Sequence, residues 1–177
     1  MEKYNEYYDY IKKFEKNNKN FINKISFYRE ILDNQNKKMT CDEYYNLSNI
    51  MLENLDIKNI ISYDHYMLVI DIMMITAINC DDYNKNYSNL MFEKAIKFGE
   101  ENDNYSYQNF YDALNCAYTW MGTIKYAKKE YKEALILFNK VIANYNKVKD
   151  NPNYNIREKD SVPISRNYIE IINKTFS

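Results

Sequence analysis

Few side chains in this chain could carry chemistry, and their spacing narrows what that chemistry could be. His65 is the sole histidine, so no two-histidine metal site or Cys–His cluster of metal-ligand spacing can form. It sits in Tyr63-Asp64-His65-Tyr66, at the start of an apolar run, and reads as a partly exposed helix-start residue. The nearest arginine upstream is Arg29, which leaves no closely spaced Arg–His pair of the kind that small helical ribonucleases use. The three cysteines, Cys41, Cys80 and Cys116, are odd in number and widely spaced. They are expected to be reduced, semi-buried small residues of a cytosolic protein. Asp71 lies inside an apolar stretch, where a carboxylate must find a partner or lose its charge. A structural hydrogen bond is its expected role. Asp81-Asp82 and Asp103 lack the alternating ligands and central glycine of a calcium loop. Two glycines cannot make a phosphate-cradling loop. The expectation is a chain with no catalytic residues, no metal and no cofactor.

The elements that hold these residues follow from composition. Only Gly99, Gly122, Pro152 and Pro163 are available to punctuate turns, which argues against a sheet protein with many tight hairpins. Hydrophobic residues make up 46% of the chain, enough for a core without staples at this length. Formal net charge is −1, with lysines interleaved among acids. Phosphate neutralisation has no basic surplus to draw on, so nucleic acid is not expected as a main ligand. The first residues, Met-Glu-Lys-Tyr-Asn-Glu, do not read as a secretory leader. The longest apolar run, Met67 to Ile78, falls short of a membrane span. These features lead to an expectation of a soluble cytoplasmic protein. The 20 tyrosines read mainly as a bias of AT-rich coding, with a tyrosine-rich recognition surface as the alternative.

Apolar residues recur at helical spacing almost throughout, and about eight helices are expected. The first two cover about 3–16 and 21–32. Thr40-Cys41-Asp42-Glu43 is a capping box that opens the third, whose stripe is Tyr44, Leu47, Met51 and Leu55. The fourth, about 62–80, is apolar nearly all round and should be enclosed by its neighbours. Further helices are expected at about 84–101, 105–128 and 130–147. After a loop at 149–160, Ser161-Val162-Pro163 reads as a cap and first turn for a helix ending near 175. The predicted class is all-α, with stacked antiparallel helix hairpins in a single domain, 1–177.

Tyr118, Met121 and Gly122, followed by Tyr131, Ala134, Phe138 and Val141, have the spacing of a helix pair that crosses closely at small residues and packs large ones on either side. This segment resembles a tetratricopeptide repeat. The clearest copy covers 113–146. A degenerate one covers 66–101, with Ile72, Ile75 and Thr76 in the first helix and Ser88, Phe92 and Ala95 in the second. Such irregular repeats resemble those in peptide-sensing regulators of low-GC bacteria and their phages, although no separate DNA-binding or effector part is recognisable here. The resemblance implies a right-handed superhelix whose first helices line a concave face and bind a protein or peptide. Mapped onto this chain, that face holds Cys116, Thr119, Trp120, Thr123 and Tyr126, with Ile70, Met73, Ala77 and Cys80 from the weaker copy. It has no lysine or arginine, which departs from the basic clamp that chaperone-binding members place on a C-terminal carboxylate. A neutral or apolar peptide is therefore the expected ligand, and a dedicated inhibitor of one protein, such as an immunity protein or phage-encoded antagonist, is the alternative. The oligomeric state is not legible.

Overall fold

The computed structural model describes residues 2–17, 20–34, 39–102, 113–150 and 161–176. These form eight helices and no strand: α1 Glu2–Asn17, α2 Phe21–Asn34, α3 Cys41–Asn54, α4 Tyr63–Cys80, α5 Lys85–Glu101, α6 Ala113–Ala127, α7 Tyr131–Val148 and α8 Ser161–Phe176. Part of the expected sixth helix, at 105–112, and most of the expected loop, at 151–160, lie outside the described residues. The chain divides into two compact units, Met1–Met91 and Phe92–Ser177, with the boundary inside α5.

Short polar side chains start several helices by satisfying backbone donors that have no intrahelical partner. Asn20 Oδ1 accepts from the Ile22 N–H at 3.0 Å, and Asn84 Oδ1 accepts from the Asn86 N–H at 3.2 Å. The capping box forms as the sequence implies. Thr40 Oγ1 accepts from the Glu43 N–H at 3.3 Å, and Glu43 Oε2 accepts from the Thr40 N–H at 2.8 Å. Ser161 differs from expectation, because it is the first residue of α8 rather than the cap before it.

In the first unit α4 packs against α3 and α2, and α1 against α3. Leu68, Val69, Ile70 and Ile72 of α4 are fully enclosed, as are Leu47 and Met51 of α3 and Leu55 at its C-cap. This enclosure accounts for the apolar run of α4, which only Asp71 and Thr76 interrupt. Buried Ser48, midway along α3, and Thr76, one turn before the end of α4, hydrogen-bond across the two helices, and Thr76 also donates back to Ile72 O.

In the second unit α7 packs against both α6 and α8, and α6 also touches α8. Its core holds Ala134, Phe138 and Ile172, with Tyr126, Tyr131, Leu135, Tyr168 and Ile169 packed around them. Tyr168 stacks on Phe138 with ring centroids 5.0 Å apart. Gly122 lies under that ring: a Cβ there would come within 2.6 Å of Phe138 Cε1. The close crossing read from the sequence is present, and the atoms nearest Gly122 belong to Phe138, one turn beyond Ala134. Lys129 closes the α6–α7 turn at φ 64°, a left-handed conformation that glycine adopts more easily.

Two sequence expectations are corrected here. Cys41 and Cys80 are joined as a disulfide, with Cα atoms 5.0 Å apart, because antiparallel packing brings the start of α3 against the end of α4. His65 is fully buried rather than partly exposed, because the loop after α3 folds over the first turn of α4.

Candidate functional site

The polar residues that could have carried chemistry are tied into structure. His65 Nε2 lies 2.6 Å from Leu55 O. A carbonyl only accepts, so this nitrogen carries the proton. Nδ1 then accepts a long contact, 3.5 Å, from the Ile61 N–H, and the Phe21 ring meets the imidazole edge-on at 4.8 Å. Burial pushes the His65 pKa down, against the opposing effects of the Leu55 carbonyl and Asp56. The residue is a neutral fastener between the end of α3 and the start of α4. Asp71 Oδ2 accepts from Arg29 Nη1 at 2.7 Å, the structural partner expected of it. Burial raises its pKa even so, with Arg29 opposing. Among the described residues no group of three His, Cys, Asp or Glu side chains could hold a metal ion, and no helix is long and apolar enough to cross a membrane.

The candidate binding residues separate into two sets. Ile70, Ala77 and Cys80 are wholly buried in the first unit and Met73 is 2% exposed, so they offer a ligand no surface. Cys116, Thr119, Trp120 and Thr123 come together in the second unit, where with Ser161 and Ile164 of α8 they line a cavity of about 340 Å³. Successive helical turns put 116, 119, 120 and 123 on one face of α6. Tyr126 lies on the same helix but packs, partly buried, against the aromatic core, edge-on to Tyr168 at 4.8 Å and to Tyr131 at 5.5 Å.

Trp120 is the exposed aromatic of this cavity, 38% accessible. Its ring stacks on buried Phe92 at 6.1 Å, which fixes the indole plane. The hydroxyls of Thr119 and Thr123 in the lining, and the polar side chains packed next to them, hydrogen-bond within the protein. Thr119 Oγ1 donates to Asn115 O at 2.9 Å and sits 3.4 Å from Ser165 Oγ. Asn144 Nδ2 donates to Asn115 Oδ1 at 3.0 Å, and Thr123 Oγ1 donates to Trp120 O at 2.7 Å. These bonds hold α6 to α7 and bring α8 alongside, leaving a mouth of indole, isoleucine side chain and small polar groups. Sequence periodicity on α6 could find the α6 half of this lining. Ser161 and Ile164 had no such signal, because only the packing of α8 on α6 brings them there.

No protein-family model, curated protein or solved structure matches the chain.

Proposed function

We propose that the protein is a non-catalytic protein- or peptide-binding module, a regulator in the manner of tetratricopeptide-like repeats, and that the second unit takes an apolar anchor of its partner beside Trp120. The observation that carries this reading is the cavity itself: an exposed, stacked indole and Ile164 around a space of about 340 Å³, with no charged residue among the described residues that line it. A space of that size lies within the usual range for small binding sites, roughly 300–1,000 Å³, and suits one or two side chains of a bound segment. The neutral side chains among these described residues favour an aliphatic or aromatic group over a carboxylate or phosphate. The close crossing at Gly122 supports the repeat-like reading of α6 and α7. A cytoplasmic site of action belongs to the same proposal.

Selection from a displayed random-peptide library, followed by titration on the emission of the sole tryptophan, tests it. Selected peptides should share an apolar anchor and shift Trp120 emission on binding. Trp120→Ala should weaken them by about 30-fold, the equivalent of about 2 kcal/mol. Undiminished affinity in folded Trp120→Ala would place the interface elsewhere.

A second reading, a dedicated inhibitor of one protein, rests on a different surface. Tyr131, Leu135, Ile172 and Phe176 line a groove of about 750 Å³ between α7 and α8, flanked by Lys129, Glu130, Lys132 and Glu133. Phe176 is 66% exposed there. Apolar centres with charged rims are typical of protein interfaces. Phe176→Ser would abolish that activity and leave peptide binding at Trp120 untouched.

A further inference from the structure

We propose that the Cys41–Cys80 pair is a reversible redox latch on the open end of the α3–α4 hairpin, opened and closed by a low-molecular-weight thiol/disulfide couple. The two helices run antiparallel and are fastened at three levels. At the closed end the chain itself joins them, and His65 bonds to Leu55 O at 2.6 Å. Further in, one turn before Cys80 on α4, Ser48 meets Thr76. At the open end the disulfide links the first residue of α3 to the last residue of α4. Only the third fastening depends on oxidation state. Breaking it leaves the hairpin held at Ser48–Thr76 and at the closed end, and removes the covalent restraint on the first turn of α3 and on the turn after α4. Those segments line a cavity of about 770 Å³, with Thr40, Cys41, Asp42, Asn79, Asp82 and Asn84 among its walls.

Access decides which sulfur exchanges. Cys80 is wholly buried, whereas Cys41 is partly exposed on the cavity wall. A thiolate RS⁻ attacks Cys41 Sγ, forming the mixed disulfide Cys41–S–S–R as the Cys41–Cys80 bond breaks, and the Cys80 thiolate leaves and takes a proton. A second RS⁻ attacks the outer sulfur, releasing the Cys41 thiolate, which is protonated, and RSSR. Two thiols are oxidised, one disulfide is reduced, and the two protons lost by 2 RSH appear on Cys41 and Cys80. The reverse reaction with RSSR closes the latch.

The test uses the full chain in the Cys116→Ser background, equilibrated in glutathione buffers of graded oxidation and acid-quenched before alkylation. Mass spectrometry should show one two-electron transition between zero and two alkylated cysteines. Adding Cys80→Ser should allow glutathione to be captured on Cys41, whereas adding Cys41→Ser should leave Cys80 unmodified in the native state. On reduction, amide hydrogen exchange should rise about tenfold or more in residues 41–44 and 79–84 and stay unchanged in 63–70. A disulfide that yields to glutathione only on unfolding would overturn the proposal, as would capture on Cys80 rather than Cys41. So would exchange that is insensitive to reduction, or loss of the whole fold in the Cys41→Ser, Cys80→Ser chain, which would make the bond a permanent staple.

Discussion

Replacing Gly122 by alanine tests the packing of the second unit most directly, because two opposing effects of known size meet there. In a helix interior alanine is favoured over glycine by about 1 kcal/mol. Against this, the new Cβ would lie 2.6, 2.9 and 3.0 Å from three carbons of the Phe138 ring, where carbon contacts settle at about 3.5–4.0 Å. The ring must recede by about 1 Å. It is wholly buried, and Tyr168 stacks on it at 5.0 Å, so it cannot retreat without displacing α8. Overpacking of this kind costs about 1–3 kcal/mol. The net expectation for Gly122→Ala is a loss of up to about 2 kcal/mol. Gly122→Leu, with three further carbons, should lose about 3 kcal/mol or more. Guanidinium unfolding followed by far-UV circular dichroism measures both. Phe138→Leu removes the two nearest ring carbons, Cε1 and Cζ, so the Gly122→Ala, Phe138→Leu pair should show a favourable coupling of about 1 kcal/mol. If Gly122→Ala instead gained the full helix-propensity term, or the coupling were nil, the close crossing would not exist as described.

Three further outcomes are expected. Burial depresses the His65 pKa, so the unfolded chain binds more protons than the folded one. His65 therefore contributes stability that is present above the ordinary histidine value near 6.5 and is lost as pH falls through the lower folded value. Because His65 is the sole histidine, its imidazole signals should titrate below 6.5, and His65→Gln should flatten the acid slope of stability; titration at or above 6.5 would contradict its burial. Arg29→Met removes the partner that lowers the Asp71 pKa, so the Asp71 carboxyl should titrate higher still. Urea unfolding should then show a deficit of about 1–2 kcal/mol at neutral pH, discounted for the partly exposed pair, that shrinks as acid protonates Asp71. A pH-independent deficit would count against the ion pair. Lys129→Gly should raise thermal stability, because relief of the left-handed conformation, about 1–2 kcal/mol, exceeds glycine's added unfolded-state entropy, about 0.5–1 kcal/mol; a loss would mean that the lysine side chain holds the turn.

Local rules were enough for much of the secondary structure. The scarcity of glycine and proline, with apolar residues at helical spacing, determined an all-helical chain of eight helices among the described residues. The Thr40–Glu43 capping box placed the start of α3, since capping involves residues three apart and needs no tertiary partner. The run from Met67 to Ile78 indicated an enclosed α4, because a helix apolar on most faces must be covered. Gly122 marked the close crossing in the second unit, because only a missing Cβ lets the Phe138 ring lie against the backbone. The same periodicity grouped Cys116, Thr119, Trp120 and Thr123 on one face of α6.

Tertiary structure decided what depends on residues far apart in sequence. Cys41 and Cys80 are 39 residues apart, and no local pattern distinguishes a pair that antiparallel packing aligns from two isolated thiols. His65 is buried by a loop whose path its own helix does not encode. Ile70, Met73 and Ala77 carry the same apolar signature whether they face a ligand or a neighbouring helix, and packing put them in the core. Tyr126 lies seven residues after Thr119 and so on the same side of α6, yet it packs, partly buried, against Tyr168 and Tyr131 at the edge of the core. Ser161 and Ile164 complete the Trp120 cavity only because α8 packs beside α6. Hydrophobic periodicity shows that a face will be covered, and only the fold determines what covers it.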